Sequence, residues 1–340
     1  MFKTHTFSGV MKLAVIPGDG IGPEVVSATL KVIEAAARRF SIPLDIKVVE
    51  AGDVAARKYG KPMPDEAWKI VDSADAVLKG PVGETAYDVT SAIRMKYVLY
   101  ANIRPAKNLP GVPAVKPIDC VFVRENVEDV YVGAEYRVGD VAIALKVITR
   151  EGTARVARVA RRYAEMRRRK VTIVTKSNVL RVVDAFFRDV ARGELDGLQV
   201  EEMYVDAAAM ELVRNPSRFD VVLTTNQYGD ILTDLAAQVA GSLGLAPSAN
   251  IGDKKAMFEP IHGAAFDIAG KGIANPIATI LSAAMMFEWM GRQDAANAVR
   301  GAVEEALRRG VATPDIGGRA TTEEVGRQIA AIVESWPTTS

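Results

Sequence analysis

A single cysteine, Cys120, stands in 340 residues. That excludes an internal disulfide framework and suits a reducing compartment, with the cytoplasm the natural expectation. Net charge is scarce too. Lys and Arg total 43 against 42 Asp and Glu, leaving +1, too little for a chain-wide field that would attract nucleic acid or an acidic membrane. Any anion site must therefore be local. The opening "MFKTHTFSGVMKLAVIPGDG" has no long apolar h-region, and no later run approaches the length of a membrane span. A soluble protein is expected. No repeat of fixed period or low-complexity segment occurs, which argues against a solenoid. What is plentiful is apolar material, 49% of the chain, enough for a large core and more than one domain. Residues 1–10, ahead of Met11, are treated as an extension or alternative start and set aside.

Apolar runs bounded by Gly, Pro or Asp recur as "KLAVIP", "LDIKVVE", "DAVLKG", "DCVFVRE", "KVTIVTK", "QVEEMYV" and "DVVLTT", each the pattern of a buried strand. Helical periodicity separates them over 23–40, 152–169, 179–191 and 231–242. Strand alternating with helix predicts an α/β protein with mostly parallel strands. The exception is "YVGAEYRVGDVAIALKVITR", where glycines break extended segments and no helix intervenes, the pattern of an antiparallel arm. The most basic stretch, "RVARVARRYAEMRRRK", places Val156, Val159, Ala160 and Tyr163 on one stripe with arginine opposite. It reads as a helix with a solvated basic face rather than a nucleic-acid surface.

"LAVIPGDGIGPEVV" runs strand, glycine loop, helix, with Pro23 and Glu24 suited to the first helical turn. Its spacing is G-x-G-x-G, not the G-x-G-x-x-G of a dinucleotide fingerprint, and Glu50 lies too far downstream for the usual ribose ligand. A tight turn feeding a helix explains it equally well.

"NQYGDILTDLAAQ" places Asp230 and Asp234 one helical turn apart, where like charges repel by a few tenths of a kcal/mol. Asp230 reads either as an N-cap after Gly229 or, with Asp234, as half of a divalent-cation site, since Mg²⁺ favours carboxylate oxygens. Asp206, at another strand end, is open to the same two readings. Arg94, Arg104 and Arg124 lie within one region. They are either surface ion-pair partners or a clamp for a small polycarboxylate beside that cation. Tyr131 and Lys176 are proton-transfer candidates or, alternatively, a packed aromatic and a snorkelling lysine.

Together these pieces resemble the β-decarboxylating dehydrogenases, whose members act on isopropylmalate, isocitrate, homoisocitrate and tartrate. The resemblance runs through "GDGIGPE", "YANIRPAK", "VRENVEDVYVG", "KSNVL", "TTNQYGDILTDLAA", "FEPIHGAAFDIAGKGIANPIATILSAAMM" and "TPDIGG", nearly the whole chain after Met11. It implies a two-domain, non-Rossmann α/β fold, residues 1–98 with 244–340 forming one domain and 99–243 the other. An arm at about 131–150 would clasp a second copy in a homodimer or higher homo-oligomer with shared active sites. It further implies NAD held by His262, Gly263, Asp267, Ile268 and Asn275, because a carboxylate at 267 accepts from the ribose 2′-hydroxyl and repels a 2′-phosphate. Mg²⁺ or Mn²⁺ would sit between Asp230, Asp234 and Asp206, the last from the partner chain. Arg94, Arg104 and Arg124 would hold substrate carboxylates, Lys176 would deprotonate the hydroxyl and Tyr131 would reprotonate C3.

The pattern matches the isopropylmalate branch best, implying oxidative decarboxylation of 3-isopropylmalate. Thr90 and Ser91 depart from it, standing where that branch carries an apolar pair. Hydroxyls there would suit a carboxylate-bearing substituent, which keeps isocitrate and homoisocitrate as alternatives, unless both bond back to helix carbonyls. A metal-dependent phosphate-transfer enzyme using the aspartates and glycine loop, and a non-catalytic nucleotide- or RNA-binding module, are rivals from other classes.

Overall fold

The computed structural model describes residues 9–337; residues 1–8 of the leading segment, and 338–340, lie outside them. In chain order the strands are β1 (Met11–Ile16), β2 (Leu44–Val48), β3 (Ala76–Lys79), β4 (Ala101–Lys107), β5 (Asp119–Glu125), β6 (Glu135–Val138), β7 (Val141–Ala144), β8 (Lys170–Thr175), β9 (Gln199–Tyr204), β10 (Val221–Thr224), β11 (Pro247–Ile251) and β12 (Ala256–Pro260). The helices are α1 (Gly22–Arg39), α2 (Asp53–Tyr59), α3 (Asp65–Ser73), α4 (Ala92–Lys96), α5 (Arg150–Glu165), α6 (Val183–Glu194), α7 (Val205–Arg214), α8 (Asn226–Ala240), α9 (Ile277–Trp289), α10 (Gln293–Arg308) and α11 (Thr322–Glu334).

Ten strands form one sheet in the order β2-β1-β3-β12-β11-β4-β5-β10-β8-β9. The outer pairs are parallel, while β12–β11, β11–β4 and β4–β5 are antiparallel. Three reversals make the two parallel blocks run in opposite directions, meeting at β4 and β11. Side chains alternate across this sheet, and the two faces differ. On one, a continuous core runs from Met11 through Ile103, Val121 and Val221 to Val333 and is covered by α1, α5, α9, α10 and α11. On the other, the core is split: Ile16, Val77 and Met257 belong to one cluster, Phe122, Val174 and Leu232 to a second. Between them lies a polar gap. Burying each Phe or Leu on the continuous face contributes about 2 kcal/mol, so that face joins the two halves and leaves the split face free for chemistry.

Two expected buried strands are edges. β2 and β9 are half exposed because each has one neighbour. Helix α8 begins at Asn226, not Ile231, so Asp230 is inside the helix and is no N-cap. Asp206 likewise is in the first turn of α7, with Tyr204 as N-cap. The segment from 179 becomes helical only at Val183, and the basic helix spans 150–165. Its arginines pair with carboxylates, Arg155 with Glu151, Arg158 with Glu194 and Arg161 with Glu165, as a solvated helix face requires. The arm forms as the β6–β7 hairpin, exposed along its length. No described helix is long and apolar enough to cross a membrane.

The glycine loop after β1 is closed against its neighbours. Asp19 N–H donates to Pro81 O and Ile21 N–H to Ala264 O, both at 2.8 Å. The Asp19 carboxylate accepts from the amides of Asp53, Val54 and Gly83. These amides are not arrayed as a phosphate cradle. Gly20 has φ +57°, and a Cβ there would lie 2.0 Å from Ala264 O. Gly20→Ala is therefore expected to destabilise the protein by more than 1 kcal/mol or so, measured by denaturant unfolding.

Candidate active site

The polar gap opens into a cleft of about 280 Å³ lined by Lys79, Thr90, Ser91, Arg94, Arg104, Arg124, Tyr131, Asp230, Glu259 and His262, among others. Arginines rarely lie buried without partners, and each partner here is identifiable. Arg94, on α4, donates from Nε to Asn250 Oδ1 at 2.9 Å and pairs with Glu259 at 3.0 Å. Arg104, on β4, meets Thr233 Oγ1 at 2.7 Å, Asp230 at 3.3 Å and Asp234 at 4.0 Å. Arg124, on β5, bonds Asn226 through two nitrogens and Asp230 Oδ1 at 2.5 Å. All three are buried, so the surface ion-pair reading fails. A larger cavity, about 600 Å³ beside Arg167 and Arg168, offers a ligand less: those guanidiniums already engage Asp119 and Asp220.

Asp230 also accepts from the Tyr131 hydroxyl at 2.7 Å. Burial acts to raise the Asp230 carboxyl, but Arg124, Arg104 and Tyr131 more than reverse this and hold it below the usual carboxylate range. Asp234 is shifted upward, because burial outweighs the help of Arg104. Tyr131 is raised by burial first, with the neighbouring Asp230 charge adding to it. The phenol thus keeps its proton and is competent as an acid. Burial and the neighbouring Arg104 push the Arg124 guanidinium downward, opposed by Asp230.

Lys176 and Asp206 are not with this group. They follow the adjacent strands β8 and β9 and pair with each other, Nζ to Oδ1 at 2.8 Å, which lowers the Asp206 carboxyl. Neither lines the cleft. Among the described residues no three His, Cys, Asp or Glu side chains of one chain converge as a metal site. The pair Asp230–Asp234 nonetheless fits a hard divalent cation by its chemistry, being all carboxylate oxygen and about half exposed.

The loop expected to hold a nucleotide begins at the cleft. His262 Nδ1 is 3.1 Å from Gly263 O, while Nε2 is buried without a partner, and burial lowers the ring's basicity. An orphaned ring nitrogen at a cleft wall fits a bound polar ligand. Asp267 is exposed and Ile268 half-buried. Asn275 is buried, donates to Asp315 and accepts from Ile277 N–H.

Thr90 and Ser91 lie in a π-helical turn, Tyr87–Ser91, ahead of α4 and line the cleft. Neither hydroxyl bonds back to a helix carbonyl, so the expectation that this would leave the wall apolar is not met. The wall beside them is apolar nonetheless, formed by Pro81, Val82, Ala86, Pro260 and Ile261.

Lys79 and Glu259 join the site without being marked out by any sequence motif. Lys79 Nζ lies 2.7 Å from Glu259 and both are buried. Their signal was a charged residue closing an otherwise apolar strand, in "DAVLKG" and "MFEP". Asn102, Asn250 and Asn226, which orient the arginines, gave no comparable sign.

This fold and cleft agree with three comparisons. The family model for isocitrate/isopropylmalate dehydrogenase matches residues 12–329. The 3-isopropylmalate dehydrogenase of Saccharolobus solfataricus is 51% identical, covering 94% of this chain and 98% of the relative. That of Sulfurisphaera tokodaii is 50% identical, covering 93% and 97%. A crystal structure of isocitrate dehydrogenase from Methylococcus capsulatus superposes with a TM-score of 0.90 at 39% identity, covering 95% of this chain and 99% of that one. The chain belongs to the isocitrate/isopropylmalate dehydrogenase family. Membership removes the phosphate-transfer and RNA-module readings.

Glu259 neutralises two buried cations. Burial alone would raise its carboxyl, but Lys79 and Arg94 hold it well below its ordinary value of 4.5. Its stabilising effect is therefore complete above that value and is lost as pH falls below it. Glu259→Gln, which leaves those cations unpaired, is expected to cost about 3–5 kcal/mol at neutral pH. The loss relative to wild type should shrink in acid, as read from urea unfolding across pH.

Proposed function

We propose that this chain catalyses the NAD-dependent oxidative decarboxylation of 3-isopropylmalate to 2-oxoisocaproate and CO₂, a step of leucine biosynthesis in the cytoplasm. The observation that carries the reading is the meeting of Arg94, Arg104, Arg124, Tyr131 and Asp230 in one cleft with an apolar wall. Such a site suits a small dicarboxylate with a branched alkyl group, and the names of the two archaeal relatives support the same choice.

In this reading the cleft separates two domains, 1–98 with 244–340 and 99–243, joined across β4 and β11. The three arginines engage the substrate carboxylates. Arg104 and Arg124 exchange Asp230 for substrate, and the released Asp230 oxygens, with Asp234 and the partner subunit's Asp206, would hold Mg²⁺ or Mn²⁺. Bound there, such a cation would supply the fixed positive charge that stabilises the anion left by decarboxylation. His262, Gly263, Asp267, Ile268 and Asn275 would hold NAD, which would supply the acceptor for the C2 hydride. Lys176, from the second copy in a homodimer, removes the hydroxyl proton. Tyr131 delivers a proton to C3 once CO₂ has left, its Asp230 contact having opened. Residues 82, 86 and 261 receive the alkyl group, with Thr90 presenting its methyl.

A second reading rests on the unpaired Thr90 and Ser91 hydroxyls, which would accommodate the longer carboxylate of homoisocitrate or that of isocitrate. A panel of isopropylmalate, homoisocitrate, isocitrate, malate and tartrate, assayed with NAD and Mn²⁺, tests the choice. The highest kcat/KM is expected for isopropylmalate, and a higher value for homoisocitrate or isocitrate would replace the proposal with the second reading.

Two further outcomes are expected. Asp230→Asn should weaken Mn²⁺ binding, followed by electron paramagnetic resonance, and lower kcat by about 100-fold; full wild-type turnover after exhaustive EDTA treatment would contradict the metal assignment. Asp267→Lys combined with Ile268→Tyr should move cofactor preference toward NADP by replacing a repelling carboxylate with a cation, measured as the ratio of kcat/KM for the two nucleotides.

A further inference from the structure

Behind the cleft, at the base of the arm, a buried ammonium joins two separate pieces of the proposed machinery. Lys146 is nearly buried, and its Nζ lies 2.8 Å from Asp184 Oδ1 and 3.8 Å from Asp129 Oδ2. It also sits 3.4 Å from Thr225 Oγ1 and 4.1 Å from the centre of the Tyr228 ring. Both carboxylates are fully buried, so neither is satisfied by water.

Each carboxylate does a different task. Asp129 caps the short turn Val130–Val132, accepting from Val130 N–H at 2.8 Å, and accepts from Gln227 N–H at the start of α8 at 3.0 Å. That turn carries Tyr131. Asp129 has φ +69°, a conformation an aspartate holds only when its surroundings impose it. Its backbone also pairs with Val147, next to Lys146. Asp184 accepts from the backbone N–H of Lys176 at 2.6 Å and so fixes the bend after β8 from which that lysine projects. Asp184 Oδ1 makes no hydrogen bond and is compensated by the ion pair with Lys146.

We propose that Lys146 is a positioning residue that sets Tyr131 and Lys176 together, through Asp129 and Asp184. The proposal rests on the assignment of Tyr131 and Lys176 as acid and base. If sites are shared in the dimer, the acid a chain keeps and the base it lends are tied to one ammonium. Loss of one Lys146 therefore disturbs both sites of a dimer, one through its acid and the other through its base.

The test uses the full-length dimer with isopropylmalate, NAD and Mn²⁺. Lys146→Met is expected to lower kcat about 100-fold, the scale of a 1 Å misplacement, with KM for isopropylmalate nearly unchanged because the arginines are untouched. Lys146→Arg should restore most of the loss. The double variant Lys146→Met with Asp184→Asn removes the cation with its closest anion, and should show the same defect where the single variant folds poorly. Heterodimers of differently tagged chains give the decisive reading. A wild-type chain paired with Asp184→Asn should keep one intact site and half the activity. Paired with Lys146→Met, it should fall well below half, since each site has one misplaced group. Half activity in that heterodimer, or wild-type kcat in the Lys146→Met homodimer, overturns the proposal. Wild-type kcat in Tyr131→Phe or Lys176→Ala overturns instead the assignment beneath it.

Discussion

Three guanidinium groups and an ammonium taken out of water in one cleft demand anions, and the placement of those anions organises the site. Glu259 is itself buried and answers Arg94 and Lys79 permanently. Asp230 is about half exposed and answers Arg104 and Arg124. One pair is therefore fixed and the other open to exchange. A buried cation whose counter-ion can leave is a receptor for another anion, whereas a cation with a locked counter-ion is a strut. The four positive charges divide in this way because Asp230, with Asp234 beside it, reaches solvent while Glu259 does not.

The sheet makes this possible by treating its faces unequally. Strand β4 shows it residue by residue: Ile103 belongs to the continuous core while its neighbours Asn102 and Arg104 turn to the polar gap. Across the junction Asn102 stands opposite both Asn250 and Arg124, so a row of amides and a guanidinium crosses the middle of the sheet. Carboxamides suit that row because they donate and accept without adding charge. The apolar rear face supplies the stability that a polar seam through the sheet's centre forgoes.

Much of this was legible in the sequence, because strand runs and helix periodicity are local signals. Arg94, Arg104, Arg124, Tyr131 and Asp230, which the resemblance puts in one site, line one cleft, and Lys176 and Asp206 do not. The start of α8 is less legible. The periodicity sets it at Ile231, with Asp230 after Gly229 open to reading as an N-cap. In the structure Gly229 lies in the first turn of α8, and a Cβ there would lie 2.5 Å from Arg124 Cγ. The glycine makes room for a buried arginine on a strand far away in the chain, information that no local window holds. The part played by Lys146 is hidden in the sequence for a similar reason. Its partners come from residues 129 and 184, and only the folded chain brings them together.

Tyr136, Val138, Val141 and Leu145 on and beside the β6–β7 ribbon face water in the single chain. A two-stranded ribbon is marginal by itself, and this one takes no support from the central sheet. A single chain with this strip uncovered is adhesive, open to chance contacts with any apolar surface it meets, and so the ribbon limits how concentrated the free chain can become before it sticks. Four side chains on one small hairpin thereby set the handling of the protein, alongside the strength of its core.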